Sequence, residues 1–302
     1  MCIRDSIAAA TTVTLTVEDA SGNTDTATAS VTVVDDMVPT VVTQDVTLTL
    51  DANGAATITT ADIDNGSSDN CTADADLTFA LDQTAFDCTH LANNGVNTVT
   101  LSVTDEQGNV QTGTATVTVV DTENPTVAGQ DITVALDSDG AATITTADVD
   151  DGSSDNCTLS LSIDVSSFDC NNLGANAVVL TGTDESGNSA TANVTVTVVD
   201  NLSPVAVAQD VTVTLDATTY TYTLTPQEVD GGSTDNCDSP LLFINETTFD
   251  CTHVGESNEI ELLARDLSGN ESTAIAIVTA VSYTHLRAHE TEADLVCRLL
   301  LE

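Results

Sequence analysis

The chain has 302 residues, of which 48 are acidic and only four are arginine, with no lysine, and its formal net charge is −44. This charge excludes nucleic acids and anionic membrane surfaces as electrostatic partners, because both would be repelled. Hydrophobic residues make up 41% of the chain, which excludes wholesale disorder, and no run reaches the roughly 18 apolar residues that cross a bilayer.

Internal repetition organises the chain. A Gly-Asn turn recurs at Gly22, Gly108, Gly187 and Gly269, and the period of about 82 residues suits a small domain better than a solenoid repeat. We predict a partial repeat at 7–36, followed by three complete repeats at 37–121, 122–200 and 201–281.

The two ends of the chain break this pattern. Residues 1–6 ("MCIRDS") and the tail 282–302 resemble translated sequencing-adapter read-through, so we expect neither to belong to the folded repeats. A genuine C-terminal helix is the alternative interpretation of the tail.

Within each repeat, apolar residues alternate with Thr and Ser. Residues 97–105 ("NTVTLSVTD") and 113–121 ("GTATVTVVD") show the strict alternation of β-branched side chains that is typical of strands with one buried face. The segments "DEQGN", "DESGN" and "DLSGN" supply the Gly and Asn that hairpin turns need. Several short strands in about 80 residues indicate an all-β fold of tandem antiparallel β-sandwiches.

These features resemble hyalin-type repeats, which are immunoglobulin-like modules of extracellular adhesion proteins. The resemblance covers residues 7–281 and rests on "ENPTV" at the start of a repeat, "DNC" in its middle, the run "LGANAVVLTGTDESGN" and the closing "TVTVVD". It is closest to the tandem versions in bacterial surface proteins, so it implies a secreted or cell-surface bacterial protein. The last strand lacks the cysteine of the family pattern, and no cysteine pairing is therefore carried over.

The resemblance implies a structural or adhesive stalk made of immunoglobulin-like domains in tandem. One alternative is that the repeats themselves bind a cell-surface or matrix glycan or protein. Another is that they are accessory modules of a secreted enzyme whose catalytic domain lies elsewhere. The chain contains no nucleophile elbow, paired-histidine zinc motif or phosphate loop, so we expect no enzymatic activity from it, and no membrane insertion.

Two cysteines lie in each complete repeat, and we predict that they form disulfides. His90 and His253 follow a cysteine by two positions, but Asn172 stands there in the middle repeat, which disfavours a repeated metal site. Acidic neighbours disfavour reactive thiols, whereas the oxidising compartment that the resemblance implies favours disulfides. We expect each pair to close a loop of 13–17 residues within its own repeat and to contribute about 3 kcal/mol. The predicted pairs are Cys71 with Cys88, Cys157 with Cys170, and Cys237 with Cys251.

An acidic loop precedes the first cysteine of each repeat. In "ADIDNGSSDNC" and its two counterparts, hard oxygen ligands are grouped around a glycine, as calcium prefers, although the spacing is not that of an EF-hand. The alternative is that these residues only form turns. The candidate calcium ligands of the loops are Asp62, Asp64, Asp69, Asp148, Asp150, Asp155, Glu228, Asp230 and Asp235.

A second group of acids lies where one repeat ends and the next begins. Carboxylates crowded there would repel one another unless a cation bridged them, and bound calcium would stiffen the chain. The turn acids Asp105, Asp184 and Asp266 are placed to approach the same junctions. The alternative is that the acids confer salt tolerance without a specific ion. The candidate junction ligands are Asp35, Asp45, Asp121, Asp131, Asp200 and Asp210.

Overall fold

The computed structural model of the chain describes residues 10–281. The segments 1–6 and 282–302, which we expect to lie outside the repeats, are not among the described residues. None of the helices in the described range has the length and apolar character needed to cross a membrane.

Strands dominate the described residues, and they follow the repeat pattern. The first hairpin consists of β1 (Ala10–Glu18) and β2 (Thr24–Thr32). Residues 37–121 contain β3 (Val46–Thr49), β4 (Ala55–Thr57), α1 (Thr60–Ile63), β5 (Thr78–Leu81), β6 (Ala85–Asp87), β7 (Val96–Thr104) and β8 (Val110–Val120). Residues 122–200 contain β9 (Ile132–Ala135), β10 (Ala141–Thr143), α2 (Thr146–Val149), β11 (Leu159–Ile163), β12 (Ser167–Asp169), β13 (Gly174–Asp184) and β14 (Ser189–Val199). Residues 201–281 contain β15 (Val211–Thr214), β16 (Tyr222–Thr223), α3 (Pro226–Val229), β17 (Leu241–Ile244), β18 (Thr248–Phe249), β19 (Asn258–Arg265) and β20 (Glu271–Val281). Short 3₁₀ segments occupy Asp74–Asp76, Cys88–Gly95, Cys170–Asn172 and Cys251–His253.

Each complete repeat contains a four-stranded sheet and a two-stranded sheet. In residues 37–121 the large sheet has the order β3–β8–β7–β5, and the small sheet pairs β4 with β6. The large sheets of the next repeats, β11–β13–β14–β9 and β15–β20–β19–β17, have the equivalent order. The prediction of an all-β fold of tandem immunoglobulin-like β-sandwiches is confirmed.

One pair in every large sheet is parallel, which the sequence pattern did not predict. Residues 46–49 of β3 run parallel to residues 117–120 of β8, and β9 and β15 pair in the same way with β14 and β20. The other described pairs are antiparallel. A parallel first and last strand lets the chain enter one end of a repeat and leave from the other, as a tandem array requires.

The predicted alternation becomes a buried core. Val99, Leu101 and Val103 of β7 are fully buried, whereas the residues between them are partly exposed. Phe86 of the small sheet lies in the same core, so the two sheets enclose one hydrophobic layer. Leu15 of β1, the counterpart of Leu101, is 65% exposed, because the first hairpin forms a two-stranded sheet of its own.

The chain separates into two compact units. The first comprises residues up to 127 together with 152–161 and 181–191, and the second comprises 128–151, 162–180 and residues from 192 onward. The core around Leu101 belongs to the first unit, and a core around Phe249 belongs to the second. The repeat boundaries at 37, 122 and 201 stay predictions.

Candidate metal centres at the repeat junctions

The first acid of each predicted calcium loop caps a helix. The carboxylate of Asp62 accepts hydrogen bonds from the backbone N–H and the hydroxyl of Thr59, both at 2.7 Å. These bonds, the backbone one above all, hold the pKa of Asp62 below its ordinary value. Asp148 and Glu228 cap α2 and α3 in the same way, as is usual for acids in a first helical turn.

The second acid of each loop shapes the loop itself. Asp64 accepts a hydrogen bond from the N–H of Ser67 at 3.0 Å, and Asp230 accepts one from the N–H of Ser233 at 2.8 Å. Asp150 holds the equivalent position directly after α2. Side-chain bonds of this kind stabilise turns, so the turn interpretation describes these positions. The third acids, Asp69, Asp155 and Asp235, are the loop members that lie in acidic clusters.

Half of the predicted junction ligands hold the first strand of a repeat against the last. Asp45 accepts a hydrogen bond from the N–H of Thr116 in β8 at 2.7 Å. Asp131 and Asp210 accept the equivalent bond from the last strands of their repeats, at 2.6 and 2.7 Å. These three carboxylates therefore have a structural partner, and the described clusters do not include them.

Three acidic clusters bring together one residue from each of three places. The first member follows the last strand of a repeat, the second precedes the Asn-Cys of the next repeat, and the third begins the turn between the two long strands. In each cluster, one carboxylate oxygen per residue lies within 4.8 Å of the others. The clusters are Asp35–Asp69–Asp105, Asp121–Asp155–Asp184 and Asp200–Asp235–Asp266.

Local hydrogen bonds orient the carboxylates of a cluster. In the second cluster, Oδ1 of Asp121 accepts from the N–H of Glu123 at 3.1 Å, and Oδ2 of Asp155 accepts from the N–H of Cys157 at 3.0 Å. Both carboxylate oxygens of Asp184 accept from Asn188, at 2.8 Å each. These hydrogen bonds hold the three carboxylates in place.

Some oxygens of the clusters are left without a hydrogen bond. The buried, unbonded oxygens are Asp35 Oδ2, Asp69 Oδ1, Asp121 Oδ2, Asp155 Oδ1 and Asp235 Oδ1, together with Oδ1 of Asn156 and Asn236. A buried polar atom without a partner costs about 1–3 kcal/mol. Two unit negative charges at 4.8 Å, the upper limit of the separations in a cluster, repel by about 3.5 kcal/mol at an effective dielectric constant of 20. The oxygen-only donor set, with its concentrated negative charge, fits a hard divalent cation such as calcium.

The disulfides connect consecutive repeats, so the prediction of pairing within a repeat is wrong. Cys88 is bonded to Cys157 and Cys170 to Cys237, with Cα–Cα distances of 5.5 and 5.4 Å. Cys71 and Cys251 are also disulfide-bonded, but not to the partners we predicted.

Strand β7 explains why the two cysteines of one repeat do not meet. Cys88 begins the segment that leads into the start of β7. Cys71 lies at the other end of the strand, where the hydroxyl of the adjacent Thr72 accepts a hydrogen bond from the N–H of Glu106 at 3.2 Å. The nine residues of β7 span about 30 Å, which is far beyond the reach of a disulfide.

In the second and third complete repeats, all three residues of the motif Asp-Asn-Cys contact the preceding repeat. Asp155 shares a cluster with Asp121, and Cys157 is bonded to Cys88. Between them, Nδ2 of Asn156 donates to Oδ1 of Asp121 at 3.2 Å and to the carbonyl of residue 51 at 3.1 Å. The equivalent bonds of Asn236 reach Asp200 and Asp137. The motif is recognisable in the sequence of each repeat, but its contact with the preceding repeat is not.

The histidines near the cysteines have a structural role that an asparagine can also fill. Nδ1 of His90 accepts a hydrogen bond from the N–H of Asp87 at 3.1 Å. In the middle repeat, Oδ1 of Asn172 accepts the equivalent bond from the N–H of Asp169 at 2.9 Å. Histidine and asparagine therefore alternate at this position because both can accept this capping bond.

No protein-family model matches the sequence, and no curated protein is similar to it in sequence. Among solved structures, immunoglobulin domains 1–5 of Sidekick-1 are similar with a TM-score of 0.38 and 10% identity, over 88% of this chain and 65% of that one, just under two thirds of its length. Three immunoglobulin domains of titin are similar with a TM-score of 0.33 and 11% identity, over 81% of this chain and 99% of that one. Domains EC22–24 of mouse cadherin-23 are similar with a TM-score of 0.31 and 12% identity, over 82% of this chain and 100% of that one. At this level of similarity, the fold class rests on the strands and sheets of the chain itself.

Proposed function

We propose that the repeats form a structural or adhesive stalk of a secreted or cell-surface protein. The observation that carries the proposal is the pair of disulfides that join consecutive repeats. Disulfides form and persist in oxidising compartments, chiefly outside the cytosol. The resemblance to hyalin-type repeats supports a bacterial source and a role in adhesion. The repeats have no catalytic role in this proposal, although an enzyme attached elsewhere would be compatible with it.

The junctions have the properties that a load-bearing chain needs. Domains joined by a single linker are expected to move relative to one another. At the first complete junction the linker is supplemented by the Cys88–Cys157 bond and by the two hydrogen bonds of Asn156. A second covalent connection restricts hinge motion, and it also prevents the residues between the two cysteines from being pulled out.

The exposed apolar side chains favour a spacer over direct binding by every repeat. Leu241 and Phe243 on β17 are 50% and 47% exposed, but Thr78 and Ala80 occupy the equivalent positions of β5. A binding surface shared by all repeats would repeat its apolar residues. In this proposal a glycan or protein partner at the cell surface or in the matrix is therefore not bound by every repeat. It would be bound by a domain that the stalk carries.

We also propose that calcium reinforces the stalk at its acidic clusters. The clusters supply hard oxygen ligands at each described junction, and a cation would neutralise charges that otherwise repel.

Stretching single molecules from their two ends tests the stalk proposal. The bridges Cys88–Cys157 and Cys170–Cys237 remove 69 and 67 residues from the extensible path. Replacing these four cysteines with serine should therefore lengthen the fully extended chain by about 450–490 Å, at 3.3–3.6 Å per residue. A gain of only about 150 Å, the value for bridges closed within repeats, would overturn the proposal.

A further inference from the structure

We propose that each three-aspartate cluster is a site for one calcium ion, built jointly by two consecutive repeats. This inference rests on the proposed stalk and names the ligands of its junction site. In the second cluster the ligands are Asp121 from the end of one repeat and Asp155 and Asp184 from the next. The three clusters predict one calcium ion per junction.

Buried oxygens without a partner point to an ion. Asp121 is 6% exposed and Asp35 is 7% exposed, and in both residues Oδ2 is buried without a hydrogen bond while Oδ1 accepts one from the backbone. Oδ1 of Asp155 and Oδ1 of Asp69 are also buried without a hydrogen bond. Native proteins rarely leave such atoms unsatisfied. The unbonded Oδ1 recurs in Asp69, Asp155 and Asp235 of all three clusters, and the unbonded Oδ2 recurs in Asp35 and Asp121 of the first two.

The site is organised before binding. Each carboxylate that leaves one oxygen bare is held through its other oxygen by a backbone N–H, from Glu123 for Asp121 and from Cys157 for Asp155. A bound cation would therefore offset the repulsion between the fixed carboxylates, and the loops would not need to change conformation to bind it. Asn156 adds a further buried oxygen next to Asp121, because its Nδ2 is bonded to that carboxylate and its Oδ1 has no hydrogen bond.

The ligand chemistry favours calcium over magnesium and zinc. Calcium accepts six to eight oxygen ligands in variable geometry, whereas magnesium requires near-ideal octahedral geometry and keeps several waters. The clusters combine carboxylates from three separate segments with a neighbouring amide oxygen, which suits the variable geometry of calcium better than the octahedral geometry of magnesium. Zinc in structural sites takes mainly cysteine and histidine ligands, and Cys157 beside the second cluster is committed to a disulfide.

The test measures calcium binding to the full oxidised chain at constant ionic strength. Equilibrium dialysis should show saturable binding near or below the 10⁻⁴–10⁻³ M range of extracellular modules. Asp155→Asn should remove one calcium ion per chain relative to the parent, and Asp235→Asn should do the same at the next junction. Magnesium at the same concentration should not displace the ion.

Asp131→Asn is the matched control. Asp131 also accepts one backbone hydrogen bond, from Thr195 at 2.6 Å, but it lies outside the clusters. The control removes the same charge and should leave the calcium stoichiometry unchanged. Equal loss in the control, or binding that follows only total salt, would overturn the inference in favour of non-specific screening.

Failure of the calcium site can be distinguished from failure of the stalk. Disulfide connectivity determined on the same preparations, without calcium, reports whether consecutive repeats are joined and whether each variant has folded. Correct connectivity without saturable calcium binding would overturn the ion site alone. Incorrect connectivity in the parent would overturn both proposals.

Discussion

Removing one inter-repeat disulfide gives the most quantitative prediction. In the double variant Cys88→Ser/Cys157→Ser, the unfolded chain loses a cross-link that closes a loop of 69 residues. The chain-entropy relation for a loop of that length gives about 4 kcal/mol of stabilisation at 25 °C. We expect the variant to lose about that much free energy of unfolding in the adjacent repeat. Cys170→Ser/Cys237→Ser, with a separation of 67 residues, should lose about the same amount at the other junction.

Hydrogen exchange of the β7 amides is the appropriate assay. A chain of several domains does not unfold in one two-state step, whereas exchange reports the opening free energy of one element. Thiol titration of the unfolded variant adds an independent check. Because Cys88 and Cys157 are bonded to each other, replacing both should leave no other cysteine without its partner and so produce no new free thiol. A change below about 1 kcal/mol would refute the entropic reasoning. Two new thiols, from Cys71 and Cys170, would show that the bridges close within repeats.

Three further variants probe the core, the junction and the helix caps. Leu101→Ala should destabilise its repeat by about 2–5 kcal/mol in denaturant unfolding, because the side chain is fully buried, and a smaller loss would contradict the assigned core. At Gly54 (φ +70°) an added Cβ would lie 2.6 Å from the sulfur of Cys88, whereas at Gly66 (φ +92°) an added Cβ would have nothing within 4 Å. Gly54→Ala should therefore lower the melting temperature more than the control Gly66→Ala. Equal decreases in melting temperature would show that only the backbone strain at positive φ matters, and not the contact with Cys88. Hydrogen bonds, chiefly from the Thr145 hydroxyl, lower the pKa of Asp148 in the folded chain. The ionised Asp148 therefore contributes its full stabilisation of the fold above the unfolded-state pKa of about 4, and this contribution is lost as the pH falls through the lower folded-state pKa. Melting temperatures between pH 2 and 6 should therefore fall less steeply in Asp148→Asn, and parallel curves would contradict this assignment.

Local patterns account for the strands and turns that sequence analysis predicted. The alternation in residues 97–105 places Val99, Leu101 and Val103 on one face, and that face is the buried one. The segment "DEQGN" forms the turn after β7, with Gly108 at a φ of +88°. The parallel pairing of β3 with β8 was not predictable, because alternation is the same for parallel and antiparallel neighbours. That pairing depends on how the chain enters and leaves the repeat.

The site was only partly predictable because its members are separated in sequence. The acids in each loop look alike, yet Asp62 caps a helix, Asp64 shapes a turn and Asp69 lies in a cluster. Only the three-dimensional path of the loop distinguishes them. Spacing was also misleading for the cysteines, since Cys71 and Cys88 are close in sequence but lie at opposite ends of β7.

Disulfide mapping of the oxidised chain tests the central claim most directly, namely that consecutive repeats are covalently joined. The chain has no lysine and 48 acids, so a protease directed to Asp and Glu, used without reduction, can separate the cysteines for mass spectrometry. The structure predicts linked peptides that contain Cys88 with Cys157 and Cys170 with Cys237. Peptides that link Cys157 with Cys170 would contradict the account, because each bridge would then stabilise a single repeat and the junctions would lose their covalent connection.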